Sequence, residues 1–140
     1  MNAAMRGGIA GAAAAALWAL YDPILKRVFG SPYADSEVVG PFITRGRLEP
    51  VANVVTDVAN GFTFGWLFAR FGGRGVRSGV AAAVAENTAF WPATAVLDRT
   101  HPKRKDGEWP PLVRNPRAFA QATTAHALFG VLLGVFGRRS

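Results

Sequence analysis

The chain has no cysteine, two histidines and few charged residues, 18% of 140, against about a quarter in an average soluble domain. Without cysteine there is no disulfide, thiol nucleophile, Cys-ligated zinc, iron–sulfur cluster or covalently attached haem. With only His101 and His126, on distant segments, neither an H-E-x-x-H metalloprotease motif nor a histidine-rich di-iron centre can be assembled. Serine is scarce and no G-x-S-x-G is present, so serine hydrolase chemistry lacks its nucleophile motif. The length allows one domain, residues 1–140, and excludes a nucleotide-binding domain paired with a substrate domain.

What is present is half hydrophobic residues, 16 glycines and a net charge of +7 with a pI near 11.1. A basic soluble chain would point to nucleic acid. Here the Lys and Arg residues flank apolar runs instead of striping one helix face, which suits lipid headgroups and argues against a nucleic-acid partner.

Four apolar segments are predicted to be membrane spans: 7–29, 51–71, 75–97 and 118–136, joined by polar loops at 30–50 and 98–117. The first is the weakest, since Asp22 and Pro23 interrupt it; Pro23 is expected to kink it, with Lys26 and Arg27 snorkelling to the surface. A cleaved signal peptide is the rival reading of that segment, but no small-x-small site follows the apolar stretch directly. Asp57 and Arg70 are the ionisable groups of the second segment, and Glu86 and Pro92 interrupt the third. The fourth offers only Gln121, Thr123, Thr124 and His126 as polar groups, too few for the wet face of a soluble helix. The expected fold is therefore an all-α polytopic membrane bundle, with a soluble Ala-rich bundle as the alternative. The loops are expected to lie outside the hydrocarbon, with Val38 to Ile43 folding back onto the surface and Asp98 to Arg117 as the largest exposed segment.

Four spans would put Arg6, Arg70, Arg74, Arg77, Arg138 and Arg139 on one side, with no acidic residue among them, and the other basic residues in the two long loops. By raw count the ten basic residues of the long loops would make those loops cytoplasmic, while the tight, acid-free placement of the first set favours cytoplasmic termini in a bacterial inner membrane, the reading adopted as the expectation. A shift of 65 residues aligns Phe64–Gly72 with Phe129–Gly137 at five of nine positions, suggesting two helical hairpins in tandem; frequent Phe and Gly is the bland alternative.

Gly7 and Gly11, Gly61 and Gly65, and Gly130 and Gly134 are each four apart, which allows helix backbones to approach closely within one chain or between copies in a homo-oligomer. Three of the four segments carry an ionisable group at similar depth: Asp57, Glu86 and His126, with Asn60 and Asn87 nearby. Ionisable groups in hydrocarbon cost several kcal/mol unless paired or neutral, which makes them candidates for function. Three readings stand side by side. One is a hydrogen-bonded network that fixes helix register, completed by Asn60 and Asn87. Another is a proton- or cation-handling site. The third is a metal site of Asp57, Glu86 and His126, suited to iron or manganese; otherwise no cofactor is expected.

Other signals are less specific. Gly73-Arg74-Gly75 with Gly79 has phosphate-loop spacing but no preceding strand, and reads as a turn. Lys103-Arg104-Lys105 reads as a solvated run or an anionic-lipid contact, and Trp18, Trp66, Trp91 and Trp109 as interface anchors. The glycine-led first helix, the Gly-spaced middle helices and His126-Ala127-Leu128-Phe129-Gly130 in the last resemble the small multi-span bacterial inner-membrane proteins of the YagU-like type. That resemblance implies a polytopic membrane protein and no particular activity. The expected role is a structural or accessory component, alone or with a membrane-complex partner; a small membrane-embedded enzyme is the alternative.

Overall fold

A computed structural model describes residues 1–137, so Arg138 and Arg139 lie outside the described residues. Every regular element among them is helical: α1 (Ala3–Ala16), α2 (Trp18–Phe29), α3 (Gly40–Ile43), α4 (Glu49–Arg70), α5 (Gly75–Phe90), α6 (Thr94–Thr100), α7 (Pro102–Lys105) and α8 (Pro116–Phe136). Local chemistry sets several boundaries. The Asn2 side chain caps α1 through Met5 N (2.8 Å), and Asn115 caps α8 through the amides of Arg117 and Ala118, with Pro116 in the first turn. α2 stops at Gly30, whose φ of 58° is the left-handed conformation that closes a helix.

The long helices pair antiparallel through glycine. α1 lies along α4 so closely that a Cβ on Gly11 would fall on the carbonyl oxygen of Gly61, and one on Gly7 on that of Gly65. α5 lies along α8 in the same manner, with Gly79 against Gly130 and Gly134 against the backbone of Val76. All six glycines picked out by spacing therefore serve contacts inside one chain, and Gly79 joins them. The pairs meet where α1 and α2 touch α8, around a core of Ala10, Ala14, Ala15, Ala83, Phe129 and Leu133. Phe64 and Phe129, 65 positions apart, meet edge to face with centroids 5.5 Å apart. Each half runs bent helix, folded loop, straight helix: α1–α2 then α4, and α5–α6 then α8.

Of the four expected spans, α8 is long and apolar enough to cross a bilayer, and α1 with α2 qualifies as one broken span bent by 46°. α4 has 22 residues, about 33 Å of helix, but its apolarity is diluted by Asn53, Asp57 and Asn60. α5 stops after 16 residues and resumes as α6 beyond the Trp91–Ala93 turn that contains Pro92. The bend in the first segment falls at Leu17, not at Pro23. Pro23 is accommodated inside α2, which runs on to Phe29.

The two loops depart most from expectation. Instead of lying apart as exposed connections, they dock together into a cap at one end of the helices. Tyr33, Trp109 and Leu112 are buried there beside Ala118 and Ala122 of α8. Trp109 is thus a core residue, not an interface anchor: its ring stacks on His101 with centroids 4.1 Å apart. Residues 31–36 push down between the helices, where the Tyr33 carbonyl accepts from Gln121 Nε2 and the Ser36 hydroxyl and amide donate to buried Asp22. This part of the 30–50 loop is therefore inside the helical assembly. Only Val39, Phe42 and Ile43 of that loop's apolar stretch are exposed.

Candidate functional site

Lys103 shows why the loops close. Its ammonium, 11% exposed, lies 2.9 Å from Glu49, 3.0 Å from Glu37 and 3.4 Å from Glu108. Lys26 reaches the other Glu37 oxygen at 2.8 Å, and Arg45 ties Glu49 to Asp106 and Glu108. Lys26 is therefore paired and does not snorkel. Burial alone would raise the Glu37 carboxyl, but hydrogen bonds from Lys26 and Lys103 outweigh it and hold it below its ordinary range. The same carboxylates raise Lys103 against the desolvation that opposes its charge. Arg104 pairs with Asp98 and donates to the Trp109 carbonyl, so only Lys105 of the expected basic run remains exposed. His101 is structural: Nδ1 accepts from the Lys103 amide and Nε2 faces the Val38 carbonyl at 3.1 Å, an arrangement for a neutral ring, and burial lowers its proton affinity.

Beneath this cap α4 and α5 have no packed interface, and a groove of about 230 Å³ opens between them. All five residues of the expected polar cluster line it: Asp57 and Asn60 from α4, Glu86 and Asn87 from α5, His126 from α8. Asn60 is exposed on its rim, and Phe90 is 68% exposed beside it. Asp35, which nothing in the sequence singled out, descends from the cap to join them.

His126 is the hub. Its Nε2 is 3.1 Å from Glu86, while Nδ1 is 2.9 Å from the Ala122 carbonyl and 3.5 Å from Asp35. Both ring nitrogens thus face acceptors, so a proton must sit between His126 and Glu86, on the ring or on the carboxyl. The Trp18 ring meets the imidazole edge-on at 5.1 Å, and the Tyr33 hydroxyl donates to Asp35. The amides do not complete the network as expected. Asn87 donates to Thr123 at 3.1 Å, and the Asn60 side chain, exposed on the rim, makes no hydrogen bond among the described residues.

The Asp57 side chain also makes no hydrogen bond or ion pair with His126 or any other group among the described residues. Among the described residues no three His, Asp or Glu groups are placed to hold a metal ion, so Asp57, Glu86 and His126 do not form the ligand set their chemistry would permit. Asp57 instead lines a second cavity as well, about 340 Å³, shared with Asp22, Lys26, Glu37, Glu49, Asn53 and Lys103 beneath the cap.

No family model matches the chain, and no curated protein or solved structure matches it. The site is read from its own chemistry.

The residues that sequence reasoning missed, Asp35, Asp22 and Tyr33, all lie in or against the segment taken to be outside the helices. No local signal pointed to them, because their partners lie on other elements: Asp35 faces His126, Asp22 accepts from Ser36 and the Tyr33 carbonyl accepts from Gln121.

Proposed function

We propose that the chain is an integral membrane protein that handles protons or cations at the Asp35–His126–Glu86 cluster, as an accessory component without a catalytic nucleophile of its own. The observation that carries this reading is His126 held between two carboxylates from different elements, at the floor of a groove whose rim is open. An ionisable trio of this kind at helix depth is costly unless it is used. The membrane part of the reading draws on the outward faces, where Leu20, Ile24, Val28, Val51, Val55 and Val131 are all exposed. Water would penalise such faces and lipid would not. The four segments then cross the bilayer as two tandem hairpins, with the cap on one face. Arg6, Arg70, Arg74 and Arg77, at the opposite end, favour cytoplasmic termini.

Two sets of groups give the path a direction. Asp57 stands between the cap-side cavity and the groove, and His126 with Glu86 stands beyond it. The test is proton uptake into liposomes holding the full chain, driven by an imposed potential and read with an enclosed pH dye. Wild type is expected to acidify the lumen, and His126→Asn and Glu86→Gln to slow it at least tenfold. Equal rates in wild type and folded variants contradict the reading.

A further inference from the structure

The groove has walls as well as a floor, and they specify more than a proton. Its lining includes Trp18, Tyr33, Phe64, Phe90, Trp91 and Phe129, and no Lys or Arg. Tyr33 apart, its ionisable groups are Asp35, Asp57, Glu86 and His126, three carboxyl groups to one imidazole. One acceptor in the lining is unspent among the described residues: Asn87 is only 6% exposed, yet its Oδ1 accepts no hydrogen bond, whereas Asp35 Oδ2 faces His126 Nδ1 at 3.5 Å. An excess of carboxyl groups, a free acceptor and π faces form a surface for a positive charge attached to an apolar body. The volume, about 230 Å³, is below the span of about 300–1,000 Å³ common for drug-sized ligands and suits a small one. Because α4 and α5 do not close over it, such a ligand has a lateral way in past Asn60 and Phe90.

We infer that the groove binds a hydrophobic organic cation, an ammonium carrying one ring or a short apolar chain, which enters between α4 and α5. The ammonium sits among Asp57, Glu86 and Asn87 Oδ1, and the apolar body packs on Phe64, Phe90 and Trp91. An anion would meet uncompensated carboxylates, and a neutral hydrocarbon would leave their charge unbalanced. The inference rests on the membrane and charge-handling reading above and names the ligand class of that site.

The test uses the full chain in lipid nanodiscs and radiolabelled benzyltrimethylammonium, counted by scintillation proximity. The expected result is saturable binding, displaced by unlabelled benzyltrimethylammonium but not by neopentylbenzene, its uncharged isostere, or by phenylacetate. Glu86→Gln and Asp57→Asn are expected to weaken it at least tenfold. Asn60→Lys, a change on the exposed rim that leaves every carboxylate in place, is expected to abolish it, and Arg47→Ala in the cap to leave it unchanged. Absence of saturable binding, displacement by neopentylbenzene, or undiminished binding in a folded Asn60→Lys protein overturns the inference. Proton uptake measured on the same variants reconstituted in liposomes separates the two claims. Uptake that depends on His126 without cation binding removes the ligand assignment alone, and the loss of both removes the charge-handling reading with it.

Discussion

Replacing Lys103 by Met should open the cap while leaving the helices paired. The ammonium is 11% exposed and sits within 3.0 Å of carboxylates from two different segments, Glu37 and Glu49, which are 21% and 13% exposed. Met keeps most of the stem volume, so the change removes the charge and little packing. Breaking a buried pair strands its partner and costs about 3–5 kcal/mol. Here Lys26 still covers one Glu37 oxygen and Arg45 one of Glu49, and Glu108 is half in water, so the lower figure, about 3 kcal/mol, applies. A cap opening made easier by that amount is populated on the order of 100-fold more often. Hydrogen exchange reads it directly, because the Trp109 amide donates to the Lys103 carbonyl at 3.0 Å and the Leu112 amide to Asp98 at 2.8 Å. Both should lose about 100-fold in protection, while amides in α8 keep theirs. Adding Glu49→Gln should restore much of the loss, since it removes the stranded charge. Unchanged protection at Trp109, or a double variant no better than the single one, would refute the account of the cap.

Gly11→Leu should drive α1 off α4, because even a Cβ there meets the Gly61 carbonyl; apparent Tm in detergent should fall by more than about 10 °C, or no folded protein be recovered. Ala13→Leu, exposed on the same helix, should stay within about 2 °C, and equal behaviour of the two would contradict glycine-mediated pairing. Cap stability should also depend on pH in two steps. Buried His101 resists a proton that the unfolded chain accepts near 6.5, so protection is complete above that value and declines below it. Glu37, held below its ordinary 4.5, contributes stability that is present above that value and lost as pH falls further. Exchange at Trp109 measured from pH 7 to about 2.5 and corrected for intrinsic rates should show both steps; a flat profile would contradict them.

The helical architecture was legible because glycine spacing and apolar runs are local signals. Gly7, Gly11, Gly61, Gly65, Gly130 and Gly134 all lie where two backbones touch. The depth argument that grouped Asp57, Glu86 and His126 needed only the rise per residue, and the five cluster residues do share one groove. The cap was not legible, for a physical reason. Its stability comes from pairings between segments about 60 residues apart, such as His101 with Val38 and Arg45 with Asp106, and composition treats each partner as an isolated exposed charge or aromatic. The same blindness hid Asp35 and turned Trp109 into an apparent surface residue. Pro102 and Pro116 start helices within the segment expected to be an exposed loop, because proline is tolerated in a helix's first turn.

The central claim is that the helices cross a bilayer with both loops gathered on one face and the groove between. Since the chain has no native cysteine, single cysteines report its sidedness without background. Arg47→Cys and Lys105→Cys place a thiol on each exposed part of the cap, and Arg74→Cys one on the turn at the opposite end. In sealed bacterial inner-membrane vesicles of known orientation, a membrane-impermeant maleimide should label Arg47→Cys and Lys105→Cys from one face and Arg74→Cys only from the other, the cytoplasmic one. Labelling of all three from the same face, or release of the protein from the membrane by alkaline carbonate, would contradict the account.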